Sequence, residues 1–104
     1  MARPIVWSDP AVADLESAVE FIARDSEAYA RSLAQLAVDA AESLAEFPNR
    51  GHRLRDPQLS RFRELIIGSY RLIYLVEPER VLVLAVLHGH RALRALRRAL
   101  KGRK

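Results

Sequence analysis

The apolar residues of this chain change their period once. Up to Phe47 they recur every three or four residues, and from Arg61 onward they fall into short strand-like runs. A period near 3.6 lines up one stripe of a helix, whereas a period of two lines up one face of a sheet. The change of period divides the chain into a helical half and a strand half. At 104 residues it has one core's worth of apolar side chains.

Before the helices, Arg3 to Trp7, with Ile5, Val6 and Trp7 together, reads as a short strand and Ser8-Asp9-Pro10 punctuates it. Asp9 is expected to cap a helix, with Pro10 at its first position. Val12, Leu15, Val19 and Ile22 then form one stripe at spacings of 3, 4 and 3. Ser26 reads as a second cap. Tyr29, Leu33, Leu36, Ala40, Leu44 and Phe47 follow at 4, 3, 4, 4 and 3, an alanine-rich second helix. So short a joint makes the two helices an antiparallel hairpin. Pro48-Asn49-Arg50-Gly51 stops the second helix, and His52 to Ser60, polar and carrying Pro57, is expected to be a loop.

Three strands are predicted next: Arg61–Ile67, Tyr70–Val76 and Val81–Leu87. Val81–Leu87 is apolar on both faces and is expected at the centre of the sheet. From Ala92 to about Lys101 a last helix is predicted, with Leu93, Leu96 and Leu100 on one side. Arg91, Arg94, Arg98 and Lys101 lie on another side, with Arg97 beside them. The expected architecture is one domain over residues 1–104. The element order is β-α-α-β-β-β-α, with a basic last helix and no internal repeat.

The absence of cysteine excludes disulfides, thiol nucleophiles and cysteine-held metals. No uncharged apolar run is long enough to span a membrane, and charge comes too early at the N-terminus for a signal peptide. A cytoplasmic protein is expected, with no membrane partner. The net charge of +4 conceals an asymmetry. Asp9 to Phe47 holds nine acidic and two basic residues, whereas Pro48 to Lys104 holds fourteen basic and four acidic. No acidic residue follows Glu79. The second half should therefore attract a polyanion or an acidic protein segment, unless its arginines are simply a solvated tail.

Several stretches then carry a resemblance. They are Ala13-Asp14-Leu15-Glu16 and Phe21-Ile22-Ala23, Phe47-Pro48-Asn49-Arg50-Gly51, Leu54-Arg55, Tyr70-Arg71-Leu72-Ile73-Tyr74, and Val86-Leu87-His88-Gly89-His90-Arg91. In this order and spacing, from about Val6 to Arg91, the chain resembles the RelE/ParE superfamily of type II toxins. The resemblance implies an α+β fold in which a two-helix hairpin packs on a mostly antiparallel four-stranded sheet (β-α-α-β-β-β) with a basic C-terminal helix, together with toxicity to a bacterial cell and neutralisation by a cognate antitoxin. RelE-like members are ribosome-dependent mRNA interferases; ParE-like members inhibit DNA gyrase.

Metal-independent RNA cleavage needs a base for the 2′-hydroxyl, cations for the phosphate and an acid for the leaving oxygen. Against RelE, the phosphate-binding arginines fall on Arg71 and Arg91. Its two strand lysines fall near Arg63 and Leu65, and its C-terminal tyrosine near Arg97. One lysine and the tyrosine are thus absent, and with the long alanine-rich hairpin this favours the ParE-like branch. No catalytic residue is assigned. If the chain is a nuclease, the candidates are Arg63, Arg71, His90 and Arg91, with Glu64, His88 or His90 for proton transfer. Each also has a structural reading: Arg71 paired with a buried carboxylate or a loop carbonyl, Arg63 as a solvated strand residue, Glu64 as a surface or ion-pair residue, His88 as a satisfied, partly buried histidine. His52 lies in the expected loop with no evident partner. Three scattered histidines do not make a zinc site, and no cofactor is expected.

Turn parity separates these readings. A two-residue turn at Gly68-Ser69 pairs Ile66 with Arg71 and Arg63 with Tyr74, placing Arg63 and Arg71 on opposite faces. A bulged turn would gather Arg61, Arg63 and Arg71 on one face as a phosphate-binding surface. Arg91, Arg94, Arg97, Arg98 and Lys101 are the candidates for binding a target or an acidic, initially disordered antitoxin segment. The expected partners are the antitoxin, in a hetero-oligomer, and DNA gyrase, or alternatively the ribosome and mRNA. A third reading is an inactive homologue that serves as its antitoxin's partner.

Overall fold

The computed structural model describes residues 2–89, 94, 97 and 98. The elements run β1 (Ile5–Trp7), α1 (Asp9–Ala23), α2 (Glu27–Ser43), β2 (His52–Arg53), β3 (Phe62–Ile67), β4 (Tyr70–Val76) and β5 (Val81–His88), with a 3-10 turn at Pro57–Leu59. The sheet has the order β1-β5-β4-β3-β2. Only the β1–β5 pair is parallel.

Five strands therefore replace the expected four. The extra one lies in the segment expected as a loop, where His52 pairs with Glu64 and Arg53 with Arg63. Two polar residues carry no period, so this strand has no signature of its own; β3 supplies it. β5 is interior, between β1 and β4, but the middle position belongs to β4.

Helix caps follow the sequence with one shift. Ser8, rather than Asp9, caps α1: its Oγ accepts the Ala11 N–H at 3.2 Å and donates to the Leu84 carbonyl at 3.2 Å. Asp9 and Pro10 are the first helical residues. Ser26 caps α2, accepting the Tyr29 N–H at 3.1 Å. α2 ends at Ser43, so Phe47 lies beyond it and is 63% exposed.

The buried helical stripes are rotated from the expected ones. α1 buries Ala11 and Ala18, and α2 buries Ala30, Leu33, Ala37 and Ala41, while Val12, Tyr29 and Leu36 stand exposed. Alanines bring the helix axes close to the sheet, and the larger side chains are left on the shoulders. α1 packs on β5 and α2 on β3. Ala11, Ala37, Ala41 and Leu44 meet Leu65, Ile67, Leu72, Tyr74, Val81, Val83 and Val86 in the main core.

The opposite sheet face has a second cluster, in which Leu54 and Leu59 join Phe62, Ile73, Leu84 and Ala85. A register shift in the β4–β5 pair explains why β5 is apolar on both faces. Ile73 pairs with Ala85 and Tyr74 with Val83, so Leu84 is a bulge residue. Val83 and Val86 then face the helices, and Leu84 and Ala85 face away. Ser8 and Asp14 fasten α1 to this bulge, the Asp14 carboxylate accepting the Val86 N–H at 3.0 Å. Burial raises the Asp14 pKa above its ordinary 3.8, and that hydrogen bond only partly offsets the rise.

Candidate functional site

The turn between β3 and β4 has two residues, with Gly68 in the left-handed region at φ 65. Ile66 pairs with Arg71 and Arg63 with Tyr74. Arg63 and Arg71 therefore lie on opposite faces, and the three-arginine phosphate surface that a bulged turn would create does not form.

On the helix side, Arg63 is occupied by the backbone. Its Nη1 donates to the carbonyls of Asn49 at 3.1 Å and Gly51 at 2.7 Å. Beside it, the buried Tyr74 hydroxyl donates to the Pro48 carbonyl at 2.8 Å and accepts the Gly51 N–H at 2.9 Å. Gly51 is required by space: a Cβ there would stand 2.5 Å from the Tyr74 hydroxyl and 2.7 Å from the Glu64 carbonyl oxygen. Arg63 and Tyr74 together clamp the Pro48–Gly51 turn, which sets β2 against β3. Burial pushes the Tyr74 phenol above its ordinary 10.0, offset in part by the Gly51 N–H and by Arg63 and Arg50.

On the sheet face away from α1 and α2, a cleft of about 910 Å³ opens beside β2, β3 and β4. Arg53, Arg55, Arg71, Arg94 and Arg97 line it, with His52, Asp56 and Glu64. Glu64 lies opposite His52 across the β2–β3 pair, and both of its carboxylate oxygens are 3.2 Å from Arg71 Nη1. Arg71 thus has the carboxylate partner of its structural reading while still facing open space. Asp56 forms an ion pair with Arg97, and its other oxygen accepts the Gln58 N–H at 2.9 Å at the start of the 3-10 turn. Among the described residues, no group of three His, Asp or Glu is placed to hold a metal.

The candidates separate accordingly. Arg71, Arg94 and Arg97 come together at the cleft, and Glu64 joins them. Arg63 does not. His88 ends β5 with its ring tilted at 54° against Tyr70, centroids 4.9 Å apart, away from the cleft. Arg98 is helical and exposed, and His90, Arg91 and Lys101 lie outside the described residues. His52, Arg53, Arg55 and Asp56 were not expected as site residues. Their pairing with β3 assembles them, and no periodicity in so short a segment could reveal it.

A two-helix hairpin on one face of a mostly antiparallel sheet, with a basic cleft on the other, defines an α+β protein of the RelE/ParE-like class. The sequence model described as the ParE toxin of the type II toxin–antitoxin system parDE matches residues 5–93. The chain belongs to this toxin family. It is 35% identical over 88 residues to Toxin RelE2 of Caulobacter vibrioides, covering 84% of this chain and 96% of that one. Its fold is similar to a chain of the chromosomal ParDE toxin–antitoxin system of P. aeruginosa, at a TM-score of 0.70 and 17% identity, covering 86% of this chain and 98% of that one. It is also similar to a chain of the RelBE2 toxin–antitoxin complex of Mycobacterium tuberculosis, at a TM-score of 0.58 and 22% identity, covering 85% and 99%. No helix among the described residues is long and apolar enough to cross a membrane.

Proposed function

We propose that this toxin arrests growth as a ParE-like inhibitor of DNA gyrase in the cytoplasm, and that a cognate antitoxin neutralises it in a hetero-oligomer. The observation that carries the branch is the fate of Arg63. A cation aligned with a nuclease lysine is spent on the carbonyls of Asn49 and Gly51, on the sheet face opposite Arg71. Transition-state stabilisation needs donors aimed at one phosphate from one side. The match of the ParE toxin model over residues 5–93 supports the same branch.

A second reading has one observation in its favour. His52, Glu64 and Arg71 share the cleft, which supplies groups for proton transfer beside a phosphate-binding cation. An mRNA interferase built on them would differ from one built on Arg63, His90 and Arg91. Purified toxin added to a gyrase supercoiling reaction and, in parallel, to a reconstituted translation reaction separates the two. Loss of supercoiling with translation intact is expected. Translation arrest with cleaved message and unaffected gyrase would transfer the assignment to the second reading.

A further inference from the structure

The outer edge of β3 is only partly covered. The two-residue turn pairs Ile67 with Tyr70, so the main-chain groups of Phe62, Glu64 and Ile66 point away from β4. The Phe62 carbonyl accepts the Leu54 N–H at 3.1 Å, and Glu64 pairs with His52. The β2 pairing goes no further along β3. The N–H and C=O of Ile66 therefore point off the sheet, with no strand beside them among the described residues.

Two features say what covers this edge. Natural sheets guard a free edge with charges, proline or a bulge. Leu65-Ile66-Ile67 carries none of these, and Ile66 is 57% exposed. Beside it, a groove of about 250 Å³ lies between β3 and α2, lined in part by Leu36, itself 48% exposed. One acid and one base, Asp39 and Arg50, also line that groove. Such a balance gives a strongly acidic segment no net attraction. A two-fold copy of the same groove fits it, because each Arg50 is then set toward the partner's Asp39.

We propose that two copies of this chain pair edge to edge through β3, antiparallel about a two-fold axis at Ile66. Ile66 exchanges both of its outward main-chain bonds with the partner's Ile66, and the two sheets join into one. The two isoleucine side chains stand directly opposite, as an apolar cross-strand pair. Ile66 and Arg71 are partners across β3 and β4, so they share a face. The pairing thus sets the two arginine-lined clefts on one continuous sheet face. The inference stands apart from the choice of cellular target: self-pairing can fail while gyrase inhibition holds, and the reverse.

The chain has no cysteine, so Ile66→Cys introduces its only thiol. A hydrogen-bonded antiparallel pair holds its Cα atoms about 5.5 Å apart, within the span of a disulfide. Mild oxidation of the purified Ile66→Cys chain should give a disulfide-linked dimer. Tyr29→Cys, at a similarly exposed position on α2, should remain monomeric under the same oxidation. Sedimentation velocity of the unaltered full chain over a concentration series should show a monomer–dimer equilibrium. Ile66→Lys should raise the dissociation constant by about tenfold or more, since two lysines would face each other on the edge. Asp39→Arg should weaken the dimer, and adding Arg50→Asp to the same chain should restore it, because the exchanged charges still meet across the axis. Circular dichroism of each variant checks that the fold is kept. A chain that sediments as a monomer at every concentration would overturn the proposal and leave the edge to a strand of another protein. A dimer that Ile66→Lys leaves intact, with Ile66→Cys cross-linking no faster than Tyr29→Cys, would overturn it equally by placing the contact elsewhere.

Discussion

Replacing Tyr74 by Phe removes one oxygen from the interior and leaves the ring that fills the core. Tyr74 is 0% exposed, and its hydroxyl is both donor to Pro48 and acceptor from Gly51. Without it the buried Gly51 N–H has no partner, which costs about 1–3 kcal/mol; the Pro48 carbonyl, only part-buried, loses about 0.5–1 kcal/mol more. A total of about 1.5–4 kcal/mol should lower the melting temperature by about 7–20 °C in a domain of this size. Urea and thermal denaturation followed by circular dichroism would measure it, with an unchanged urea slope showing that the folded state has kept its extent. The pH profile adds a signature. Because the folded phenol titrates above its ordinary 10.0, the stability it contributes is whole below pH 10 and is lost as pH rises through the folded value. The Phe variant should lack that alkaline loss. A destabilisation below about 0.5 kcal/mol would refute the claim that this hydroxyl anchors the Pro48–Gly51 turn.

Three further outcomes follow from the same geometry. Gly51→Ala forces a Cβ against a buried ring and a backbone carbonyl, and should cost about 2–4 kcal/mol in denaturant titration. Asp14→Asn keeps an acceptor for the Val86 N–H but removes a carboxylate whose folded pKa is raised. The wild type's contribution from that group is present below pH 3.8 and is lost as pH rises through the folded value, so the variant's melting-temperature advantage should grow across that window and then level off. Arg63→Ala should cost about 1–2 kcal/mol through its two carbonyl partners, and Arg71→Ala, which leaves the largely buried Glu64 carboxylate unpaired, about 1–3 kcal/mol by the same denaturant titration.

Those contrasts mark where the sequence was readable and where it was not. The helix hairpin and the Ser26 cap follow from local pattern, whereas Gly68-Ser69 allowed a two-residue or a bulged turn, and it is the observed two-residue turn that fixes every pair from Phe62 to Ile67. The helix faces differ from the expected ones by about one residue because large apolar side chains dominate a stripe, whereas close packing on the sheet favours alanine. β2 has no local signature and exists because β3 offers it a free edge. The same pairing carries His52, Arg53 and Arg55 to the cleft, so most of the site escapes a reading based on period. Arg71 is legible as a residue with two readings, and the structure joins them: it is paired with Glu64 and it faces the cleft.

The assignment to gyrase is tested most directly in living cells. The chain is expressed from a tightly repressed promoter, and DNA and protein synthesis are pulse-labelled separately in the first minutes after induction. An early fall in DNA synthesis with a DNA-damage response, while translation continues, is the expected result. An early stop in translation with DNA synthesis intact would contradict it and place the toxin among the mRNA interferases.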